Sequence, residues 1–383
     1  MPRGVRRALL GAFVAAGLGV VHLGGQPTLQ GFPPGYFATH STLAHGRLPE
    51  PVVISGVSYW KFLQVATRFD MGAYADWDRQ TVTLSDAAHQ VRFEVGSREI
   101  LFDGLRMFLG EPTVGGGYEA PGHVIFRGDS LLISTIDVDH RLLPLLQPQL
   151  AGPLPRQPRI IAIDPGHGGS DHGTENHRLG LMEKTFTLDV GLRLRKLLEA
   201  DGYKVVMTRT DDSRLAPDQV EDLQRRAEVA NLAGADLFLS IHFNSVAPDT
   251  KTRGTEVYIF PPAHQRSSAS WQERRDDSEP ESSAANRNDC WNTVLAHALH
   301  RELLLALHTE DRGEKLRHLG VLRGLRCPGA LAECAFLSND AEALRVATPA
   351  FRQRVAEGLE AGIRAYSAEI GLLTAEEGLK PPR

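Results

Sequence analysis

A chain of 383 residues with 42% hydrophobic content, 23% charged residues and a formal net charge of −5 can bury two domain-sized cores. There is no basic excess and no Lys/Arg run interleaved with aromatics, which excludes nucleic acid and argues against any anionic polymer held mainly by charge. The three cysteines, Cys290, Cys327 and Cys334, lack CxxC spacing and give no disulfide framework; they read as small buried hydrophobes, although export would let one pair oxidise.

Residues 1–25 read as an export signal, with Arg3, Arg6 and Arg7 before an apolar stretch from Ala8 to about Val21. That stretch is short and Gly-rich for a membrane span, and no other segment could cross a bilayer. No clean small-x-small cleavage site follows, so an uncleaved anchor stays open. Arg6-Arg7 hints at twin-arginine export, but an ordinary secretory signal is the simpler reading. Residues 26–50 carry Gly, Pro and His without periodicity and read as a linker.

Residues 51–146 predict a small α+β domain. Tyr59 to Phe69 reads as a helix. Val82 and Leu84, then Val91, Phe93 and Val95, alternate with polar residues as strands do. Asp103-Gly104 between Ile100-Leu101-Phe102 and Arg106-Met107-Phe108 is a hairpin signal. Residues 147–158, with Pro148, Pro153, Pro155 and Pro158, read as a second linker.

From 159 to 368 strands and helices alternate. Ile160-Ile161-Ala162-Ile163 is a strand buried on both faces. A helix from Glu183 to Ala200 stripes Phe186, Val190, Leu194, Leu197 and Leu198. Lys204–Met207, Asp236–Ile241, Thr255–Phe260 and Ala330–Ala332 are strands. Leu223–Leu232 and Trp291–Leu307 are helices. A last helix starts at Pro349 behind Thr348 and presents Phe351, Val355, Leu359, Ile363 and Tyr366 on one face. The fold class is α/β, an open mixed sheet with helices on both faces, preceded by the small α+β domain. Residues 369–383 read as a tail. His264 to Asn288 interrupts the pattern with charged and small polar residues and reads as a solvated loop.

Four residues stand where predicted strands end or just beyond. His167 lies in Asp164-Pro165-Gly166-His167-Gly168-Gly169, His242 ends a later strand, Glu333 closes Leu331-Ala332-Glu333, and Glu183 opens a helix. In open α/β sheets the ligand crevice lies outside the carboxyl ends of the strands, so these residues can converge. Two imidazoles and a carboxylate with one position open suit a catalytic zinc, and a second carboxylate suits a general base and acid. Packed histidines in an ordinary Gly-rich turn are the plainer alternative. A phosphate-cradling loop lacks both GxGxxG and GxxxxGK[ST]. His297 and His300, one helical turn apart, read as surface histidines with no third ligand.

The ordered set Asp164–Gly169, Glu183-Lys184, Thr208-Arg209, Arg226-Ala227 with Ala230-Asn231, Ser240–Ser245, Asp311-Arg312-Gly313, Val321-Leu322-Arg323 and Leu331–Asn339 resembles the zinc-dependent N-acetylmuramoyl-L-alanine amidases of the amidase type 3 family. The resemblance covers about Pro158 to Ser367. It implies a mixed central sheet flanked by helices, Zn²⁺ as cofactor, and His167, Glu183 and His242 on the three zinc-ligand positions. Glu333, in Leu-Ala-Glu-Cys-Ala-Phe-Leu-Ser-Asn, falls on the catalytic glutamate. It would take a proton from water beside the metal and return it to the leaving alanine nitrogen. The chain departs from the pattern at His172, where a small residue or Pro is usual, and at Cys334 and Ala335 beside the glutamate. Asn244 and Arg323 are candidates for substrate contact, with a salt bridge as the plainer role for Arg323. In the first domain, Trp77-Asp78, Thr81-Val82-Thr83-Leu84 and Val95-Gly96-Ser97 resemble the copper amine oxidase N-terminal-like domain, expected here as a positioning or wall-binding module without copper.

The expected function is therefore an exported peptidoglycan hydrolase of the periplasm or cell envelope, cutting the amide between N-acetylmuramic acid and L-alanine. Peptidoglycan is the expected partner, with a protein activator open. The competing readings are a zinc peptidase acting on the stem peptide, a non-catalytic wall-binding protein, and a cytosolic metal-dependent amidase acting on a small molecule. The 264–288 insertion is expected to act as a mobile gate over the site.

Overall fold

The computed structural model of the protein describes residues 50–76, 79–112, 125–127, 130–246, 248–268 and 282–378. The signal segment, nearly all of the first linker, Trp77-Asp78 and the middle of the 264–288 insertion lie outside the described residues. None of the described helices is long and apolar enough to cross a membrane.

The first region comprises β1 (Val52–Ile54), β2 (Val57–Lys61), α1 (Phe62–Arg68), β3 (Gly72–Asp76), β4 (Thr81–Ser85), β5 (Gln90–Glu94), β6 (Glu99–Phe102), β7 (Leu105–Phe108), β8 (Glu111–Pro112), β9 (Ile125–Arg127) and β10 (Ser130–Ser134). Tyr59 to Lys61, expected in the helix, belong to β2 instead, because β10 pairs with them and Tyr59 is fully buried. The Asp103-Gly104 hairpin forms, with both residues at positive φ (48° and 84°), as a tight primed turn requires. Helical turns follow as α2 (Thr135–Asp137), a π-turn over Val138–Leu142, and α3 (Leu143–Leu146).

The second region comprises β11 (Ile160–Pro165), β12 (Glu175–Asn176), β13 (Leu181–Met182), α4 (Glu183–Ala200), β14 (Lys204–Met207), α5 (Gln219–Leu232), β15 (Leu237–Asn244), β16 (Thr255–Ile259), β17 (Gln265–Arg266), α6 (Asp289–Leu307), β18 (Asp311–Leu316), α7 (Gly320–Arg323), β19 (Gly329–Phe336), α8 (Asp340–Ala347) and α9 (Pro349–Gly378). Strands of both regions form one mixed sheet in the order β14-β11-β15-β19-β16-β18-β7-β6-β5-β4-β3. β14, β11, β15 and β19 are parallel, and β16 runs against β19. The regions meet at β7 and β18, where Met107 lies opposite Glu314. The 147–158 stretch is packed against the second region: Trp291 Nε1 donates to Pro153 O at 2.8 Å, and Gln157 Nε2 donates to Ser367 O at 2.9 Å.

On one face of the sheet α4, α6 and α9 bury Val190, Leu194, Leu295, Leu299, Val355, Leu359 and Ile363 with Ile163, Leu239, Val257 and Ala332. On the other, α5 and α7 cover Phe238, Tyr258 and Leu331. The final helix passes the expected end of the domain because Ile370 and Leu373 remain buried. The insertion is solvated only in part: Gln265, Ser267, Ser268 and Ala285 are buried at its two roots, and Gln265 Nε2 donates to Asp137 Oδ1 at 2.9 Å. Cys290, Cys327 and Cys334 are free thiols.

α9 and α6 approach closely at Gly362, where an added Cβ would sit 2.7 Å from Leu299 Cα, a backbone atom that cannot turn away. At Gly371 the nearest atom to an added Cβ is a flexible Gln157 side chain at 3.4 Å. Alanine favours a helix interior by about 1 kcal/mol over glycine, whereas overpacking costs about 1–3 kcal/mol. Thermal unfolding should therefore show Gly362→Ala lowering Tm and Gly371→Ala leaving it unchanged or raised. Equal shifts of the same sign would contradict this helix packing.

Candidate functional site

The site is assembled at the carboxyl ends of β11 and β15, where the sheet is parallel and loops leave toward the same edge. β11 ends at Pro165, and the chain turns sharply through His167, which has φ 62°, and Gly168, which has φ 133°. A non-glycine residue in that region is uncommon, and such geometry gathers at functional sites. Two buried arginines pin the turn. Arg226 on α5 donates to Asp164 Oδ1 at 2.8 Å and to His167 O at 2.8 Å. Arg209 donates to Pro165 O at 2.9 Å and to Gly166 O at 3.0 Å. Asp164 also accepts from Thr208 Oγ1 and Ser240 Oγ at 2.6 and 2.7 Å. Burial works against its charge, yet Arg226 and these hydroxyls win and hold its carboxyl below the usual range.

Glu183, the first residue of α4, is only 3% exposed and lies between the two imidazoles. His167 Nε2 is 3.2 Å from Glu183 Oε2, and His242 Nδ1 is 2.9 Å from Oε1. The amides of Thr174 and Phe243 donate to the same two oxygens at 2.8 and 2.9 Å. One ligand atom from each of His167, Glu183 and His242 can be chosen so that all lie within 4.8 Å of one another. Two glycines make the room: a Cβ on Gly166 would come within 2.2 Å of the His242 ring, and one on Gly173 within 2.7 Å of both His167 and Glu183. Burial opposes charge at Glu183, but the two imidazoles hold it well below the usual carboxylate range. Burial likewise opposes a charged His167, yet hydrogen bonds from its ring to Asp171 and Glu183 raise it to about 10.

Glu333 lies inside β19 rather than at a strand end, because β19 continues to Phe336. It stands opposite His242 on β15 and opposite Glu256 on β16. Burial, then Glu183 and Glu256, push its carboxyl well above the usual range, and among the described residues its buried Oε2 has no hydrogen-bond partner. Asn244 donates from Nδ2 to Glu256 Oε1 and is already engaged within this wall. Arg323 lies over the Phe260 ring, 5.7 Å from its centroid. His172 is outside the cluster, with Nδ1 3.0 Å from Glu175 Oε1. His297 and His300 are not surface histidines: His300 is fully buried against Asp311 at 2.7 Å, and His297 pairs with Glu314 at 2.8 Å. Both pair with carboxylates of β18, the strand at the junction of the two regions.

Sequence reasoning missed Glu256, Tyr258 and Asp171. Glu256 is buried and accepts from Tyr258 Oη at 2.7 Å and from Arg312 Nε at 3.2 Å. Its signal was a carboxylate inside a five-residue buried strand. Asp171 orients His167 from 3.0 Å and is itself lowered to about 2, first by that hydrogen bond.

Residues 161–365 match the Amidase_3 family, described as N-acetylmuramoyl-L-alanine amidase. The chain belongs to this family. The amidase is 32% identical over 227 residues to the germination-specific N-acetylmuramoyl-L-alanine amidase of Bacillus subtilis (strain 168), a match over 57% of this chain and 84% of that protein. It is 35% identical over 205 residues to the sporulation-specific N-acetylmuramoyl-L-alanine amidase of the same strain, over 53% of this chain and 66% of that one. The solved catalytic domain of an N-acetylmuramoyl-L-alanine amidase from Bacillus (Paenibacillus) polymyxa var. colistinus is 29% identical, covering 54% of this chain and 97% of that one with a TM-score of 0.44. The amidase is thus a peptidoglycan hydrolase acting on the amide between N-acetylmuramic acid and L-alanine.

Arg226 neutralises two carboxylates, Asp164 and Asp222, each about 1% exposed. Removing one partner of a buried pair costs about 3–5 kcal/mol. Arg226→Leu should lower the unfolding free energy by that amount in urea titrations. A loss below about 1 kcal/mol would mean that the loop carrying His167 does not depend on this ion pair.

Proposed function

We propose that this amidase is a zinc-dependent, exported hydrolase in which His167, Glu183 and His242 are the metal ligands and Glu333 is the general base and acid. The observation that carries the proposal is the convergence of two imidazoles and a buried carboxylate within 4.8 Å, with a second carboxylate, Glu333, opposite His242 on the neighbouring strand. Two nitrogens and one oxygen with a position left for water are a donor set that suits catalytic zinc. Asp171 behind His167 is the carboxylate partner that metal-ligating histidines usually have. A bound zinc ion would supply Lewis-acid polarisation of the amide carbonyl and acidify water.

The protein's own side chains do the rest. Glu333 takes the proton from the attacking water and delivers it to the alanine nitrogen as the C–N bond breaks. Burial and the neighbouring carboxylates raise this group; a divalent cation beside it works in the opposite direction, toward the range a proton carrier needs. Glu256, held by Tyr258, Asn244, Arg312 and Lys315, keeps the wall next to Glu333 rigid. The basic and apolar segment before residue 25 supports export, which puts the enzyme where its polymer is. The first region is then a positioning or wall-binding module.

Chelator should abolish release of peptide from purified peptidoglycan, and zinc should restore it. Mass analysis of the products should show a free alanine amino group and an intact lactyl acid; cuts within the stem peptide would instead mean a peptidase. Glu333→Gln should keep zinc bound and lower the rate by roughly 10²–10⁴. Full activity in that variant would remove Glu333 from the chemistry. Gly166→Ala should weaken zinc binding by roughly 10- to 100-fold through the displaced His242, the size seen when a ligand's support is disturbed. Unchanged affinity would contradict the assignment of His242.

A further inference from the structure

The wall beyond Glu256 is basic. β18 carries Arg312 and Lys315, Arg317 follows it, and Arg323 ends α7. Lys315 stands opposite Tyr258 on β16, and Tyr258 is two residues along from Glu256, the residue opposite Glu333. The Arg317 N–H donates to Ile259 O at 3.0 Å, so the pairing continues one residue past β18. Strand alternation puts Glu256, Tyr258, Lys315 and Arg317 on one face of the sheet.

Three of the four basic side chains are engaged. Arg312 Nε donates to Glu256 Oε2 at 3.2 Å, and Lys315 Nζ pairs with the same oxygen. Arg323 lies over Phe260 and has a further partner. Arg317 is half-buried with Cζ 6.0 Å from the Tyr258 ring centroid, and among the described residues its guanidinium has no hydrogen-bond or ion-pair partner. Its charge acts on both Glu333 and Tyr258. By strand spacing its backbone lies roughly 15 Å from that of Glu333, and a side chain reaching back over Tyr258 leaves the guanidinium on the order of two extended residues from the reacting carbonyl.

We propose that Arg317 is a specificity-determining residue that binds the carboxylate of the second stem-peptide residue. This rests on the amidase reading above. In peptidoglycan the L-alanine released by the reaction is followed by a γ-linked D-glutamate, whose α-carboxylate is the first anion on the peptide side of the scissile bond; in many walls it is amidated. A guanidinium presents paired donors that match a carboxylate in a fork, and it makes a poorer match to a carboxamide, whose NH₂ is itself a donor. The chain therefore prefers stems with a free carboxylate at that position.

The test uses the full-length, zinc-loaded chain and two disaccharide-peptide substrates that differ only in carboxylate or carboxamide at the second stem residue. The wild-type kcat/KM should favour the carboxylate by about 10- to 100-fold. Arg317→Gln should remove the preference by slowing only the carboxylate substrate, mainly through KM, and Arg317→Lys should restore part of it. Equal rates on both substrates in the wild type, or equal losses on both in Arg317→Gln, would overturn the role. Cleavage of neither substrate by the wild type would overturn the amidase reading itself, and this proposal with it.

Discussion

A carboxylate buried between two imidazoles is the constraint on which this structure turns. Glu183 is almost wholly removed from water, and an isolated charge there would cost several kcal/mol. It stays ionised because His167, His242 and two backbone amides surround it. These groups come from three places: His167 from the turn after β11, Thr174 from the loop just before β12, and His242 with Phe243 from the end of β15, while Glu183 itself opens α4. The sheet's parallel half exists in that register so that these ends coincide.

The cost of that arrangement is met in the layer beneath. The turn carrying His167 has carbonyls pointing inward, and Arg209 and Arg226 satisfy them while Asp164 balances the charge. The same turn excludes side chains at Gly166 and Gly173, where any Cβ would meet His242, His167 or Glu183. Glu333 and Glu256 then sit side by side across β19 and β16, one without hydrogen-bond partners at Oε2 among the described residues and the other saturated with them. On the proposed mechanism, that contrast separates the carboxyl that carries the proton from the one that shapes the wall.

Much of this was legible in the sequence. The apolar run at Ile160–Ile163, the stripe on α4 and the Asp103-Gly104 hairpin each obey a local rule, and each forms. His167, Glu183 and His242, which the fold brings together, were singled out with Glu333 because they sit after strands or in ordered motifs, a pattern that survives without contacts being known. What sequence reasoning lost was set by long-range pairing. Tyr59 joins a strand because β10 lies beside it. His300 is buried because β18 and β7 bring Asp311 to the junction. Glu256 was passed over because a lone carboxylate in an apolar strand is understood only once Arg312, Lys315 and Tyr258 surround it. The roots of the 264–288 insertion looked soluble by composition, yet Gln265 is held by Asp137 from the other region.

The zinc K-edge absorption spectrum of the loaded full-length chain tests the central claim most directly. The account predicts a first shell of two imidazole nitrogens and light oxygen donors at about 2.0–2.2 Å, with the imidazole signal lost in a His167→Ala, His242→Ala chain. A sulfur shell near 2.3 Å, or a spectrum unchanged by those substitutions, would place the metal elsewhere and contradict it.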